Sequence, residues 1–163
     1  MRKRVYSASI TPLTADGALD VEGLNKIFER NSRHGVDGIF ILGSMGEWNQ
    51  FSDDFRDRLI AESAKAAAGR VELLVGITAA STPRALENLK RASAHAFDSY
   101  VFMLPKAAEA GDPVRDVCAV LDAADRPVYY YHCPPNNGIN LSLAQFEAIL
   151  SHPNLKGIKN SAS

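Results

Sequence analysis

The sequence predicts an α/β fold built around a parallel sheet. Six short runs rich in β-branched and aromatic residues alternate with longer segments in which apolar residues recur at helical spacing. A strand-helix unit repeats roughly every 30 residues, which is typical of parallel strands joined by right-handed crossovers. An open doubly wound sheet and a (β/α) barrel both fit this pattern. Because a complete barrel usually needs about 250 residues, the length of 163 residues by itself favours the open sheet.

Each predicted element has its own local signals. The strand candidates, in chain order, are VYSASI, GIFIL, VELLVGI, SYVFML, PVYYYH and LKGIK. Amphipathic segments separate them, and several begin with a residue that suits a helix N-cap or first turn. These start signals are Asp20, Ser52, Ser81 and Ser142 as caps, with Pro83 and Pro113 in first turns. Gly35 and Gly69 are expected to end helices.

Composition limits the class of protein. With 46% hydrophobic and 23% charged residues, residues 1–163 are predicted to form a single soluble domain. The near balance of 18 Lys and Arg against 19 Asp and Glu excludes an electrostatic footprint for nucleic acid or for an anionic membrane. No run reaches transmembrane length. Two cysteines, Cys118 and Cys133, without zinc-type spacing indicate a reducing, cytoplasmic location and no metal site.

In both candidate architectures, ligands bind at the carboxyl ends of the strands. The first such end is GIFIL, which continues into the turn Gly43-Ser44-Met45-Gly46-Glu47. Two glycines bracketing two residues let consecutive N–H groups point at one anion. The spacing matches neither a Walker A loop nor a dinucleotide fingerprint, and an ordinary strand-to-helix turn explains this stretch equally well.

The second strand end is PVYYYH. Alternation places Tyr129 and Tyr131 on one face of the strand, and Val128 and Tyr130 on the other. A tyrosine at the mouth of a strand can donate and accept a proton, although any single tyrosine is more often a packing residue. We interpret His132 as a hydrogen-bonding residue.

The third strand end is LKGIK. A lysine among apolar residues at the end of a strand is expected to be partly desolvated, which makes a neutral amine available to attack a carbonyl. Lys159 has this position, whereas Lys156 is expected to extend its amine into water. If neighbouring strands are sequential, Tyr131 and Lys159 end strands about 4.8 Å apart. An amine beside a phenol suits carbonyl chemistry.

Four segments in order, ASITPLTADGALDVEGL, HGVDGIFILGSMGE, YYYHCPPNNG and GIKNSAS, resemble the pyruvate-dependent aldolases and lyases of the dihydrodipicolinate synthase and N-acetylneuraminate lyase group. The resemblance covers essentially the whole chain. It implies a (β/α)8 TIM barrel, of which residues 1–163 would supply the first six strands, so that the barrel domain is incomplete at its C-terminal side. It also implies a carbon–carbon lyase that forms a Schiff base with pyruvate.

Matched by position, Lys159 resembles the family's Schiff-base lysine and Tyr131 its proton-shuttling tyrosine. Ser44, with the backbone N–H groups of Ser44 and Met45, would hold the carboxylate of pyruvate. The covalent imine replaces any added cofactor. The family usually has a hydroxyl residue at the place of Met45, so pyruvate binding is expected to be weaker or altered.

Two positions separate the subgroups. Dihydrodipicolinate synthase has a relay tyrosine where this chain has Ala107, and a carboxylate-binding arginine where it has Asn136. The YYYH run instead resembles the N-acetylneuraminate lyases, so a lyase acting on a sugar acid or related aldehyde is the main prediction and dihydrodipicolinate synthase the alternative. A rival of another class is an inactive partial barrel, either a binding module or a fragment. The loop at Lys106 often faces a neighbouring subunit in this family, which predicts a homo-oligomer.

Overall fold

The computed structural model describes residues 3–107 and 111–162, and its elements follow the predicted alternation. The strands are β1 (Tyr6–Ala8), β2 (Gly38–Ile41), β3 (Glu72–Gly76), β4 (Ser99–Phe102), β5 (Val128–His132) and β6 (Leu155–Asn160). The helices are α1 (Val21–Arg33), α2 (Asp53–Ala67), α3 (Thr82–Ala92), α4 (Pro113–Ala123), α5 (Pro134–Asn137) and α6 (Leu143–Leu150). Every strand candidate is confirmed, and α5 is an addition.

The predicted helix caps are confirmed by their hydrogen bonds. The carboxylate of Asp20 accepts from the Gly23 N–H at 2.9 Å. Ser142 forms a capping box with Gln145, in which each side chain accepts from the other residue's backbone N–H. Ser52 and Ser81 cap α2 and α3 in the same manner. These bonds satisfy N–H groups that a helix leaves without internal partners, so they fix where each helix begins.

The described chain divides into two compact units, the first formed by residues 3–76 and 94–98. Its strands β1, β2 and β3 are parallel and adjacent in chain order. All four residues of β2 are buried, as expected for a parallel strand covered on both faces. Gly76 ends β3 against the backbone of Leu42, where a Cβ would lie only 2.1 Å from the Leu42 carbonyl oxygen. Only glycine, which has no Cβ, allows the two backbone segments to come this close.

The second unit contains residues 77–93, 99–107 and 111–162. Its strands β4, β5 and β6 are also parallel and adjacent in chain order. Val128 and Tyr130 of β5 are almost fully buried, and Tyr131 lies on the opposite face, as the alternation predicts. The prediction of one domain for residues 1–163 stays a prediction.

A β-bulge interrupts the pairing of β5 with β6. Val128 pairs with Leu155, but the next pair is Tyr129 with Gly157, so that β6 contains one extra residue at Lys156. Beyond the bulge the register continues regularly to the end of both strands. Such a bulge re-aims the side chains of the longer strand.

Within the described ranges, no helix is both long and apolar enough to cross a membrane. The cytoplasmic location stays a prediction.

Candidate active site

The structure brings Tyr131 and Lys159 together at the carboxyl ends of β5 and β6. The two residues are direct partners in the parallel register. The Lys159 Nζ lies 3.2 Å from the centroid of the Tyr131 ring, well within the range of a cation–π contact. The predicted adjacency of an amine and a phenol is therefore confirmed as geometry. In this arrangement the ring face, rather than the hydroxyl, contacts the amine.

The environment of Lys159 differs from the prediction. The side chain is exposed, whereas partial desolvation was expected. The physical reason is that β6 pairs with β5 on one side, and no strand among residues 3–107 and 111–162 pairs with its other edge. The Lys159 amine contacts the ring of Tyr131, and Tyr131 itself is only 9% exposed.

Lys156 is exposed, as expected, and it also has partners within the sheet. Its ammonium donates a hydrogen bond to the Ser99 hydroxyl at 3.2 Å and lies 5.4 Å from the centroid of the Tyr129 ring. The bulge at Lys156 directs this side chain along the sheet toward Ser99 of β4, where it stays exposed to solvent.

The opposite face of β5 is a closed, mostly apolar layer. His132 packs edge-on against Phe146 of α6, with ring centroids 4.9 Å apart. Among the residues that the structure describes, the Tyr130 hydroxyl and the His132 Nδ1 are buried and find no hydrogen-bond partner. Burial raises the pKa of Tyr130 and lowers the pKa of His132, so both groups are held neutral at pH 7. Neither group is on the face of β5 that carries Tyr131.

The turn after β2 contains the other two predicted site residues. Ser44–Gly46 form a single 3₁₀ turn, and Ser44 and Met45 are both exposed, Met45 by 61%. The turn closes on itself, because the Gly46 N–H donates to the Gly43 carbonyl at 3.0 Å. Glu47 ends it in the left-handed region at φ 52°. The turn belongs to the first unit, and Tyr131 and Lys159 belong to the second.

Two residues that the sequence analysis missed hold this turn. The Thr11 hydroxyl donates to the Gly46 carbonyl at 2.8 Å. The buried guanidinium of Arg56 donates to the carbonyls of Trp48 at 2.9 Å and Gly76 at 3.1 Å. Arg56 occurs at helical spacing with the apolar residues Leu59 and Ile60, and a cation on the apolar face of a predicted helix was the available signal.

The loops after β4 and β5 are joined to each other. The Ala107 N–H donates to the Asn137 carbonyl at 2.8 Å, and the Asn137 side chain donates to the Leu104 carbonyl at 3.2 Å. Asn137 is only 4% exposed, while its neighbour Asn136 is exposed. Ala107 and Asn136 were named from the sequence, but Asn137 was not, because its role depends on a carbonyl 33 residues away in the chain.

In the part of the chain that the structure describes, no three His, Cys, Asp or Glu side chains form a group that could hold a metal ion. Cys133 is buried at the start of α5 and Cys118 is half-buried in α4, and both are free thiols.

Comparisons with known proteins agree with this geometry. The whole chain, residues 1–163, matches the sequence profile of the dihydrodipicolinate synthetase family. A 4-hydroxy-tetrahydrodipicolinate synthase from Xanthomonas campestris is 32% identical over 162 residues, which cover 98% of this chain and 53% of that protein. The corresponding synthase from Stenotrophomonas maltophilia R551-3 is 30% identical, over 96% of this chain and 54% of the relative.

Solved structures give the same result. The dihydrodipicolinate synthase of Acinetobacter baumannii, complexed with pyruvate, is similar with a TM-score of 0.91 and 26% identity, over 98% of this chain and 55% of that one. YagE, an Escherichia coli K12 prophage protein of the dihydrodipicolinic acid synthase family in complex with pyruvate, has a TM-score of 0.89 and 28% identity, over 96% and 54% of the two chains.

This protein therefore belongs to the dihydrodipicolinate synthetase family. The chain spans about half the length of the curated relatives that it matches. The predicted fold class, α/β with the first six strands of a (β/α)8 barrel, is confirmed. Enzymes of the family are carbon–carbon lyases that use a lysine–pyruvate Schiff base without an added cofactor. The predicted closeness to N-acetylneuraminate lyase finds no support among these relatives, which are named for the alternative, the synthase.

We expect the buried His132 to make stability depend on pH. Because burial lowers its pKa in the folded protein, the unfolded chain takes up a proton first as the pH falls below about 6.5. The contribution of His132 to the free energy of unfolding is therefore fully present above that pH and is lost as the pH falls below it. Urea unfolding at pH 7.5 and at pH 5.5 should show a smaller loss for His132→Phe than for the unsubstituted protein. His34→Gln, at an exposed histidine, is the control. An equal loss for all three proteins would show that His132 is not the responsible group.

Proposed function

We propose that this protein is a class I aldolase that uses Lys159 to form a Schiff base with pyruvate and joins or separates a carbon–carbon bond. The observation that carries the proposal is the pairing of Lys159 with Tyr131, whose ring centroid lies 3.2 Å from the amine. Membership of a family of Schiff-base lyases supports it.

The reaction needs an amine, a proton carrier and a binding group for a carboxylate. The neutral Lys159 amine attacks C2 of pyruvate, and uptake of one proton with loss of one water gives a protonated imine. Removal of a proton from C3 gives an enamine, whose carbon attacks the aldehyde carbon of an acceptor while the aldehyde oxygen gains a proton. Water then hydrolyses the imine and restores Lys159. We assign the proton transfers to the Tyr131 hydroxyl, which can both donate and accept.

Ser44 and Met45 complete the proposal as the carboxylate-binding residues. The support is their position in the GSMGE motif and the exposed, glycine-flanked turn that they form after β2. Ser44 would contribute its hydroxyl and N–H, and Met45 its N–H alone. With methionine at this position, one side-chain hydrogen bond to pyruvate is missing.

The acceptor has two candidates. The names of the relatives support aspartate semialdehyde, the partner of pyruvate in 4-hydroxy-tetrahydrodipicolinate synthesis. Ala107 and Asn136 support a sugar aldehyde, as in the N-acetylneuraminate lyases, because neither can supply the relay phenol or the arginine that binds a second carboxylate. A homo-oligomer stays part of the proposal, as does the rival in which these 163 residues form an inactive binding module.

The Schiff base can be trapped. Borohydride reduction in the presence of pyruvate should add a reduced pyruvate adduct to Lys159, located by peptide mass spectrometry. Lys159→Ala should abolish the adduct. Lys156→Ala is the matched control, since this lysine is in the same strand but binds Ser99. Absence of the adduct from the unsubstituted protein would favour the inactive module, and an adduct that persists in Lys159→Ala would remove Lys159 from the mechanism.

Tyr131→Phe tests the role of the Tyr131 hydroxyl separately from that of its ring. The phenylalanine keeps an aromatic face below the Lys159 amine, so pyruvate should still bind. Loss of a general acid-base group should lower the condensation rate by about 10²- to 10⁴-fold. Steady-state rates measure the loss of condensation, and borohydride trapping of the same variant measures whether pyruvate still binds. Tyr129→Phe, two residues earlier on the same strand face, should stay near the original rate. A nearly unchanged rate in Tyr131→Phe would contradict the assigned role.

Asn136→Arg tests the acceptor. A bidentate arginine–carboxylate pair is a strong, charge-assisted contact, so this substitution should raise kcat/KM for aspartate semialdehyde by about tenfold relative to N-acetylmannosamine. Coupled assays with both aldehydes and pyruvate give the ratio. If the unsubstituted protein already prefers the semialdehyde and the substitution adds nothing, the synthase is correct and the carboxylate is bound elsewhere.

A further inference from the structure

Asn137 links two loops that follow neighbouring strands. Its side-chain amide donates to the Leu104 carbonyl at 3.2 Å, and its side-chain oxygen accepts from the Ile139 N–H at 3.0 Å. Its backbone carbonyl accepts from the Ala107 N–H at 2.8 Å. The loop after β4 is thereby bonded to the loop after β5 through one buried residue.

These bonds cannot be replaced by water. Asn137 is 4% exposed, Leu104 is fully buried and Ile139 is 8% exposed. A buried donor or acceptor that loses its partner keeps the full cost of its desolvation. Removal of the side chain would leave the Leu104 carbonyl and the Ile139 N–H unsatisfied, so the two loops would separate or rearrange.

The position of Lys159 and Tyr131 depends on different contacts. They are held by the β5–β6 register and by the Ser161 N–H, which donates to the His132 carbonyl at 2.9 Å. None of the Asn137 hydrogen bonds described above reaches β6. Substitution of the Asn137 side chain therefore removes no hydrogen bond that positions Lys159 or Tyr131.

We infer that Asn137 is a positioning residue for the aldehyde acceptor, acting through the loops that contain Ala107 and Asn136, and this inference rests on the proposed aldolase function. Loops at the carboxyl ends of parallel strands form the walls of the ligand site. Pyruvate is bound covalently at Lys159, which leaves the wall beside β4 and β5 for the second reactant. Asn137 fixes the relative position of the two residues at which the acceptor is discriminated.

The test compares two steps in the 163-residue chain. Pyruvate is first allowed to form its adduct, then aspartate semialdehyde or glyceraldehyde is added at increasing concentration, and borohydride traps what remains. An aldehyde that consumes the enamine lowers the trapped adduct. Asn137→Ala should raise the aldehyde concentration for half-consumption by about tenfold, and should change half-saturation by pyruvate by less than about twofold. Asn140→Ala, at an exposed asparagine three positions on, should change neither value.

Amide hydrogen exchange of the same variants gives a readout that does not require chemistry. In Asn137→Ala the Ile139 and Ala107 amides should exchange faster, and the Ser161 amide should not. Equal changes in the pyruvate and aldehyde steps would show a general structural role and overturn the inference, as would unchanged exchange at Ala107 or an aldehyde step that Asn137→Ala leaves intact. If the unsubstituted protein forms no pyruvate adduct, the proposed function fails. The acceptor role then fails with it, and the exchange data alone decide whether Asn137 holds the loops.

Discussion

The single extra residue in β6 is the constraint on which the candidate active site depends. Val128 pairs with Leu155, and an uninterrupted register from that pair would place Tyr131 opposite Ile158 and Lys159 opposite His132. The bulge moves the register by one residue, so that Tyr131 pairs with Lys159. Because side chains alternate with a period of two, a slip of one residue exchanges the two faces of a strand. Without the bulge, the amine would share a face with the buried, neutral imidazole instead of the phenol.

The same bulge gives β6 two lysines with different surroundings. Lys156, the extra residue, turns along the sheet to the Ser99 hydroxyl and the Tyr129 ring, while Lys159 lies over Tyr131 at the strand end. Gly157 follows the bulge, and a Cβ there would be 3.2 Å from the Tyr129 ring, so a small residue lets the strands stay close. Both side chains are exposed, but the Lys156 amine has a hydroxyl as its partner, whereas the Lys159 amine contacts the face of a phenol ring.

Local signals were sufficient for the elements but not for their pairing. The alternation of apolar residues and the Gly and Pro residues between segments predicted all six strands. The cap residues Asp20 and Ser142 likewise predicted where their helices begin, because such signals depend on a few consecutive residues. Register is a property of two strands, so the bulge at Lys156 could not be predicted from β6 alone. The short helix α5 was not predicted, although a proline in its first position is compatible with a helix.

The residues of the candidate site could also be predicted only where the signal is local in the sequence. Lys159 and Tyr131 could be named because each ends a strand with reactive chemistry and because their motifs resemble a known family. Arg56 and Asn137 could not, since each acts by donating to main-chain carbonyls that any residue carries: Trp48 and Gly76 for the first, Leu104 for the second. Sequence therefore identifies the groups that react more readily than the groups that hold them. The Lys159–Tyr131 pair and the neighbouring loops are held by different interactions. The pair depends on the register of β5 and β6, and the loops after β4 and β5 are joined through the buried amide of Asn137. In the proposed mechanism, substrate preference can consequently change through the loops while Lys159 and Tyr131 keep their pairing.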